Sequence, residues 1–206
     1  MPKELGLYNF TESVALLSEP GFDIKKAETQ LLGFIKRGLI HPTARASEGK
    51  TSARFYDEAA VATAKVLSEL TLMQIADRDL MGAAAESIHM TVDETAALSM
   101  GAWTAPDGYN SWTIEKQTEY VKSYPAKTPM HYGLHLWRAG FWPLFEFRFM
   151  RHDRTGERKA VGAIYDNQVS RPAFPPESTG WIPRGSIIIS LVPLFKGLFE
   201  ERQKRN

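Results

Sequence analysis

The chain has 206 residues, 25 basic and 24 acidic side chains, a net charge of +1, 43% apolar residues and no cysteine. That composition supports a real core and excludes disulfides, thiolate nucleophiles, cysteine-ligated metal and long disordered stretches. A charge balance this close to neutral does not mark the whole chain as a nucleic-acid binder, so any such function rests on where the charges sit.

No run reaches the about 18 to 20 apolar residues of a membrane span, and the opening MPKELGLYNFTESV lacks a basic segment followed by an apolar one, so a cytoplasmic protein without a membrane partner is expected. In "TESVALLSE", Thr11 is the expected N-cap of a short first helix with Val14, Leu16 and Leu17 as its apolar face. Asp23 caps the next predicted helix, residues 24 to 37. Its apolar stripe is Ile24, Ala27, Leu31, Phe34 and Ile35, with Lys36 and Arg37 at the negative end and Gly38 as the left-handed exit. Pro42 forbids continuation, and the polar run around Glu48-Gly49-Lys50 has flanks that pair as a hairpin.

Asp57 then caps a helix with Val61, Ala64, Leu67 and Leu70 on one stripe. Met73, Ala76, Leu80, Ala83 and Ile88 extend the pattern into a second helix over residues 72 to 90. Beyond Trp103 the composition turns aromatic. "SWTIEKQTEYVKSY" reads as a helix capped by Ser111. "PLFEFRFMRH" alternates, with Phe145, Phe147 and Phe149 on a buried face and Glu146, Arg148 and Met150 opposite, and "DRTGER" turns it into "KAVGAIYD". "GSIIISLV" reads as a buried strand, and a terminal helix starts at Pro193, weakened by Gly197.

Two short helices, a basic hairpin and a further capped helix make a winged helix-turn-helix, and from Asp23 to Arg54 seven basic residues face three acidic ones. The segment "FIKRGLIHPTAR…SARFYDEAAV" resembles the MerR-type regulators. The likeness runs through Lys36-Arg37-Gly38-Leu39-Ile40, Pro42, Arg45 and Arg54-Phe55-Tyr56-Asp57-Glu58, and covers about residues 8 to 75. The family's usual Leu-Arg-Tyr-Tyr segment reads Leu31-Leu32-Gly33-Phe34 here. The resemblance implies a homodimer that binds an inverted-repeat operator in double-stranded DNA.

Residue chemistry points to the same surface. Lys25, Lys26, Thr29 and Gln30 occupy the first turns of the proposed recognition helix, where base edges are read, and Gln30 suits adenine. Lys36, Arg45, Lys50 and Arg54 are expected at phosphates, Arg37 and Thr51 are further expected DNA contacts, and Tyr56 is a packing anchor whose hydroxyl can reach a phosphate. A solvated helix face is the competing reading of the two adjacent lysines.

His131 and His135 have the spacing of a helical metal pair, but Gly133 and strand-like surroundings argue against a helix, so no metal site is expected. Trp137 and Trp142, with Glu146 or Arg148 as polar handle, are candidates for a ligand pocket, against core packing or a dimer interface. Nucleophile elbows, phosphate loops and dinucleotide fingerprints are absent from the sequence, so neither catalysis nor a cofactor is expected.

The expected architecture is α+β. An N-terminal MerR-like winged helix-turn-helix (1–72) is followed by a helical linker or dimerisation region (73–105) and a C-terminal α+β domain with an antiparallel sheet (106–206) for oligomerisation or effector binding. The expected function is a sequence-specific transcriptional regulator, a dimeric repressor associated with the nucleoid. The alternatives are an excisionase-like or architectural DNA-bending protein, or a regulator that senses a small-molecule effector through its C-terminal domain.

Overall fold

The structure is a computed structural model that describes residues 6–18, 23–46, 53–89, 113, 128–167 and 180–200. It is mixed helix and sheet, as the alternation of helical and strand periods requires. In chain order the elements are β1 (Leu7–Asn9), α1 (Phe10–Leu17), α2 (Ile24–Lys36), β2 (Ala44–Arg45), β3 (Arg54–Asp57), α3 (Glu58–Leu72) and α4 (Arg78–His89). There follow α5 (Pro129–Arg138), β4 (Pro143–His152), β5 (Arg158–Asp166), β6 (Trp181–Ser190) and α6 (Leu191–Phe195), the last running into a π-helical turn at Lys196–Glu200. No described helix is long and apolar enough to cross a membrane.

The chain forms two three-stranded antiparallel sheets. One has the order β1-β3-β2, the other β5-β4-β6. β1 is an element that the sequence pattern does not announce; it pairs Tyr8 with Tyr56 and leads straight into α1. The cap of α1 is therefore Asn9 rather than Thr11. Asn9 Oδ1 accepts from the Glu12 N–H at 3.0 Å while the Glu12 carboxylate accepts from the Asn9 N–H at 2.8 Å, a reciprocal box that fixes the helix start two residues early. Asp23 caps α2 as expected, accepting from the Lys25 N–H, and Gly38 takes φ +71° at its exit, a conformation cheap only for glycine. Ile24, expected on the apolar stripe, is 55% exposed because the first turn of α2 projects past the core.

α3 is the central helix. The sequence suggests one apolar stripe, yet residues from Glu58 to Ser68 are all buried, as a helix enclosed by α1, α2, α4, α5 and α6 must be. Lys65 is tolerated there because its ammonium lies 3.1 Å from Glu69. The expected helix over 72 to 90 is shorter: Leu72 and Met73 are half-exposed, Gln74 adopts φ 63°, and α4 begins only at Arg78 behind the Asp77 carboxylate, which accepts from the Asp79 and Leu80 N–H groups. α4 packs on β5, where Gly162 is required: a Cβ there would sit 2.7 Å from the Phe145 ring and 2.8 Å from Ser87.

β4 is central in its sheet and covered more fully than a half-buried strand. Phe145 and Phe147 are fully buried against the helices, as expected, but Glu146 is also 0% exposed and Met150 2%. β6 differs in the opposite sense. Expected to be buried, it is an edge strand reaching back to Trp181, with Ile182 and Ile188 largely exposed and Pro183 beside a register shift, where an edge tolerates a missing donor. α6 begins at Leu191 after Ser190 and not at Pro193. His131 and His135 do lie on a helix: Gly133 within α5 leaves room for Ile164, whose Cγ2 would be 3.2 Å from an added Cβ. The predicted helix after Ser111 and the boundary near residue 106 lie outside the described residues.

A single hydrophobic cluster runs from Val14 through α3 to Phe199. Its polar fastening is at the junction of β3 and α3. Asp57 Oδ1 accepts from the Ala60 N–H at 2.8 Å, its Oδ2 lies 3.4 Å from His131 Nε2 of α5, and its own N–H donates to Thr43 Oγ1. Next to it, Arg138 donates to the Glu58 carboxylate. Burial opposes ionisation of Asp57, but the hydrogen bonds from His131, the Ala60 N–H and Thr43 prevail and hold its carboxyl below the ordinary value.

A carboxyl whose titration is depressed by folding stabilises the fold above its unfolded value, and that contribution is lost as the pH falls through the depressed one. Asp57→Ala should cost about 2 to 3 kcal/mol in urea unfolding at neutral pH, from loss of the cap and of the partner of buried His131. Asp57→Asn should keep much of the capping and show a flatter loss of stability in acid.

Candidate nucleic-acid interface

The exposed side of α2 follows from its buried one. Ala27, Leu31 and Phe34 face the core, which turns Lys25, Thr29, Leu32 and Lys36 outward as a stripe at three- and four-residue steps, with Lys26 exposed beside it. Glu28 is the single acid of the helix. The Thr29 hydroxyl donates to the Lys25 carbonyl at 2.7 Å, so in the free protein the helix itself satisfies it. Gln30 is not presented as expected. Position 30 borders the buried stripe, its side chain lies along the edge of the core, and its Oε1 is buried with no hydrogen-bond partner among the described residues.

The β2–β3 pair carries exposed cations of its own. Arg45 and Arg54 are direct cross-strand partners, which places two exposed guanidinium side chains on the same side of adjacent strands. Among the described residues no carboxylate lies within 4 Å of Lys25, Lys36, Arg45 or Arg54. Like charges directly opposite each other on a ladder are destabilising, and no described carboxylate offsets them. Tyr56 is 2% exposed, as a packing anchor, which leaves its ring no access to a phosphate. Burial raises its phenol above the ordinary value, against the lowering influence of the charge and hydrogen bond of Arg54, so the two side chains meet.

Arg37 takes a different direction from the rest of the stripe. Its Nε donates to the Gly33 carbonyl at 3.2 Å, its guanidinium lies 5.4 Å from the Phe34 ring centre, and it lines a cleft with Arg78, Asp79 and Glu86 of α4. Lys50 and Thr51 lie outside the described residues. Of the expected DNA-contacting residues, the structure therefore brings Lys25, Lys26, Thr29, Lys36, Arg45 and Arg54 onto exposed positions of α2 and the adjoining strands.

The four residues expected to line a ligand pocket do not converge. Trp137 packs against Phe195 and Phe199, with ring centres 5.5 and 6.2 Å apart. Glu146 and Arg148 form a pair at 2.6 Å to which the Tyr165 hydroxyl adds a bond at 3.1 Å, a core network on the other side of the sheet. Trp142 is 54% exposed between α5 and β4. Sequence reasoning also missed a cluster of arginines and a lysine at the far end of the C-terminal sheet; its signal was present in the basic residues crowding the turn in "MRHDRTGERK". His131 Nε2 faces Asp57 and its Nδ1 meets the Thr128 hydroxyl at 2.9 Å, and no group of three metal-ligating side chains occurs among the described residues.

No family model matches the chain, and no curated protein matches it.

One feature of α2 is unexplained by folding. Gly33 lies in the helix interior with nothing within 4 Å of where a Cβ would stand, so no neighbour requires it. Gly33→Ala should raise stability by about 1 kcal/mol, seen as a rise in Tm of about 2 to 4 °C.

Proposed function

We propose that this protein binds double-stranded DNA through the outward face of α2 and the β2–β3 hairpin, and acts as a sequence-specific transcriptional regulator. The observation that carries the reading is the opposed pair Arg45 and Arg54, unneutralised by any described carboxylate, together with the exposed stripe Lys25, Thr29 and Lys36 on α2. Two arginines on directly paired positions of adjacent strands gain most from an anion between or beside them, and a phosphodiester backbone supplies one at each step. A helix of 13 residues fits the major groove, which is about 12 Å wide, while an adjoining hairpin reaches the flanking backbone.

Within that arrangement the roles divide by chemistry. Lys25, Lys26 and Thr29 lie nearest the N-terminus of α2, where base edges are read. Lys36, Arg45 and Arg54 hold phosphates and set register without specifying sequence. Gly33 fits the same reading, because a helix surface without a side chain lets another backbone come close. The resemblance to MerR-type regulators adds the homodimer, the inverted-repeat operator and repression by operator occupancy in the cytoplasm.

The test is fluorescence anisotropy with duplexes covering the region upstream of the protein's own coding sequence, at several salt concentrations. Wild type should bind with an affinity that falls steeply with salt. Arg45→Gln and Arg54→Gln should each weaken binding and reduce the slope of log affinity against log salt by about one unit. Gly33→Ala, although more stable, should bind less tightly. Unchanged affinity and slope in both arginine variants would refute the proposed surface.

A further inference from the structure

The end of the C-terminal sheet remote from the β5–α5 contacts carries a concavity of about 480 Å³ that the DNA reading does not use. Its lining is built from three strands and one helix. Leu80 of α4 with Phe149 and Met150 of β4 gives it an apolar floor, and Met150 is 2% exposed. The rim is cationic: Arg151, Arg158 and Arg184 are all exposed, and Lys159 stands among them.

The backbone explains why the charges converge. Arg151 and Arg158 are direct partners across β4 and β5, and Arg184 falls in the register shift where Met150 faces Pro183 and Phe149 faces Gly185. None of the three arginines has a carboxylate within 4 Å among the described residues. Lys159 is fixed differently, its ammonium 3.8 Å from the centre of the Trp181 ring. As at Arg45 and Arg54, an opposed arginine pair has no counter-charge among the described residues, but here it borders a hollow with an apolar base.

That combination selects the ligand. A bare inorganic anion has no use for the floor of Leu80, Phe149 and Met150, and a neutral apolar molecule has no use for the rim. Single-stranded nucleic acid stacks successive bases on a row of aromatic faces, and the described lining of this groove has one aromatic ring, Phe149. Lys159 covers Trp181, whose ring also meets His152 at 5.3 Å, and Phe149 packs edge-on with Phe147 at 5.2 Å. The volume falls within the roughly 300 to 1,000 Å³ of small-molecule sites.

We infer that this groove binds a small organic anion, an apolar body carrying a carboxylate or phosphate group. The anion sits against Arg151, Arg158 and Arg184, and the body lies on Leu80, Phe149 and Met150. If the regulator reading holds, the groove is its effector site, because Leu80 belongs to the first turns of α4, the helix that follows α3 out of the β3 junction.

The test is isothermal titration calorimetry of the full-length protein, without DNA, against 4-phenylbutyrate, the neutral 4-phenylbutanol and inorganic phosphate. Phenylbutyrate should bind at one site per chain, with the alcohol and phosphate at least about tenfold weaker. The double variant Arg158→Gln/Arg184→Gln should lose about tenfold in affinity with unchanged circular dichroism and Tm, while Arg158→Lys/Arg184→Lys should retain most of it. Equal binding of acid and alcohol, phosphate binding as tight as phenylbutyrate, an unaffected glutamine variant, or no saturable heat up to about 10 mM phenylbutyrate would each overturn the inference. A parallel anisotropy titration separates the two surfaces: if the glutamine variant loses duplex affinity, the patch is a nucleic-acid contact and the small-anion assignment fails. Failure of duplex binding at Arg45 and Arg54 leaves the calorimetric result untouched.

Discussion

The arrangement of this protein depends on one carboxylate. Asp57 ends the strand β3, caps the helix α3 through the Ala60 N–H, and faces His131 on α5, 74 residues further along the chain. Because α3 is enclosed on all sides, its N-terminus cannot shift without disturbing the packing of every neighbour. The same residue that starts the central helix therefore fixes how the β2–β3 pair, and with it Arg45 and Arg54, stands relative to α2. The neighbouring bond from Arg138 to Glu58 repeats the link one residue on, so α5 holds the base of the hairpin at two adjacent points. His89, at the end of α4, belongs to the same neighbourhood. Burial, with the nearby charges of His41 and His131 against that of Asp57, takes its imidazole down to about 4, so it stays neutral where the helices meet.

Two surfaces of the fold share an electrostatic peculiarity. Arg45 faces Arg54, and Arg151 faces Arg158, each pair across a β-ladder and each without a described carboxylate. Such pairs cost stability, so a fold optimised for stability alone would replace one member with an acid. What distinguishes them is the shape beneath. The first pair stands on the short β2–β3 ladder and, on the proposed reading, meets an extended polyanion; the second borders a hollow floored by Leu80, Phe149 and Met150 and suits a compact amphipathic one. Side chains of α4 line both the cleft with Arg37 and, through Leu80, the groove.

Much of the local structure was legible in the sequence because it depends on short-range chemistry. The Asp23 cap, the Gly38 exit, the pairing of the hairpin flanks around residues 45 and 54, the Asp57 cap and the turn between β4 and β5 are all set by residues within a few positions of one another. What was not legible depends on long-range contact. The burial of Glu146 requires Arg148 and Tyr165, the helical state of residues 129 to 138 depends on Ile164 filling the space beside Gly133, and the cap of α1 moved to Asn9 because β1 pairs with β3. Helix periodicity alone started the second helix at residue 72 rather than at Arg78, since Met73 and Ala76 keep the spacing while lying outside the core. Of the residues expected to contact DNA, Lys25, Thr29 and Lys36 are exposed as spacing requires; spacing could not tell that Gln30 turns its amide toward the core or that Arg37 folds back on Gly33.

The central claim is that α2 and the β2–β3 strands form one surface that closes on a duplex. Amide hydrogen exchange of the full chain, with and without duplex DNA from the upstream region of its own coding sequence, tests this most directly. The account expects added protection concentrated in residues 24 to 36, 44 to 45 and 54 to 57, with β4 and β5 unchanged. A bound complex in which those amides exchange as in the free protein, or in which protection falls on the C-terminal sheet instead, would contradict it.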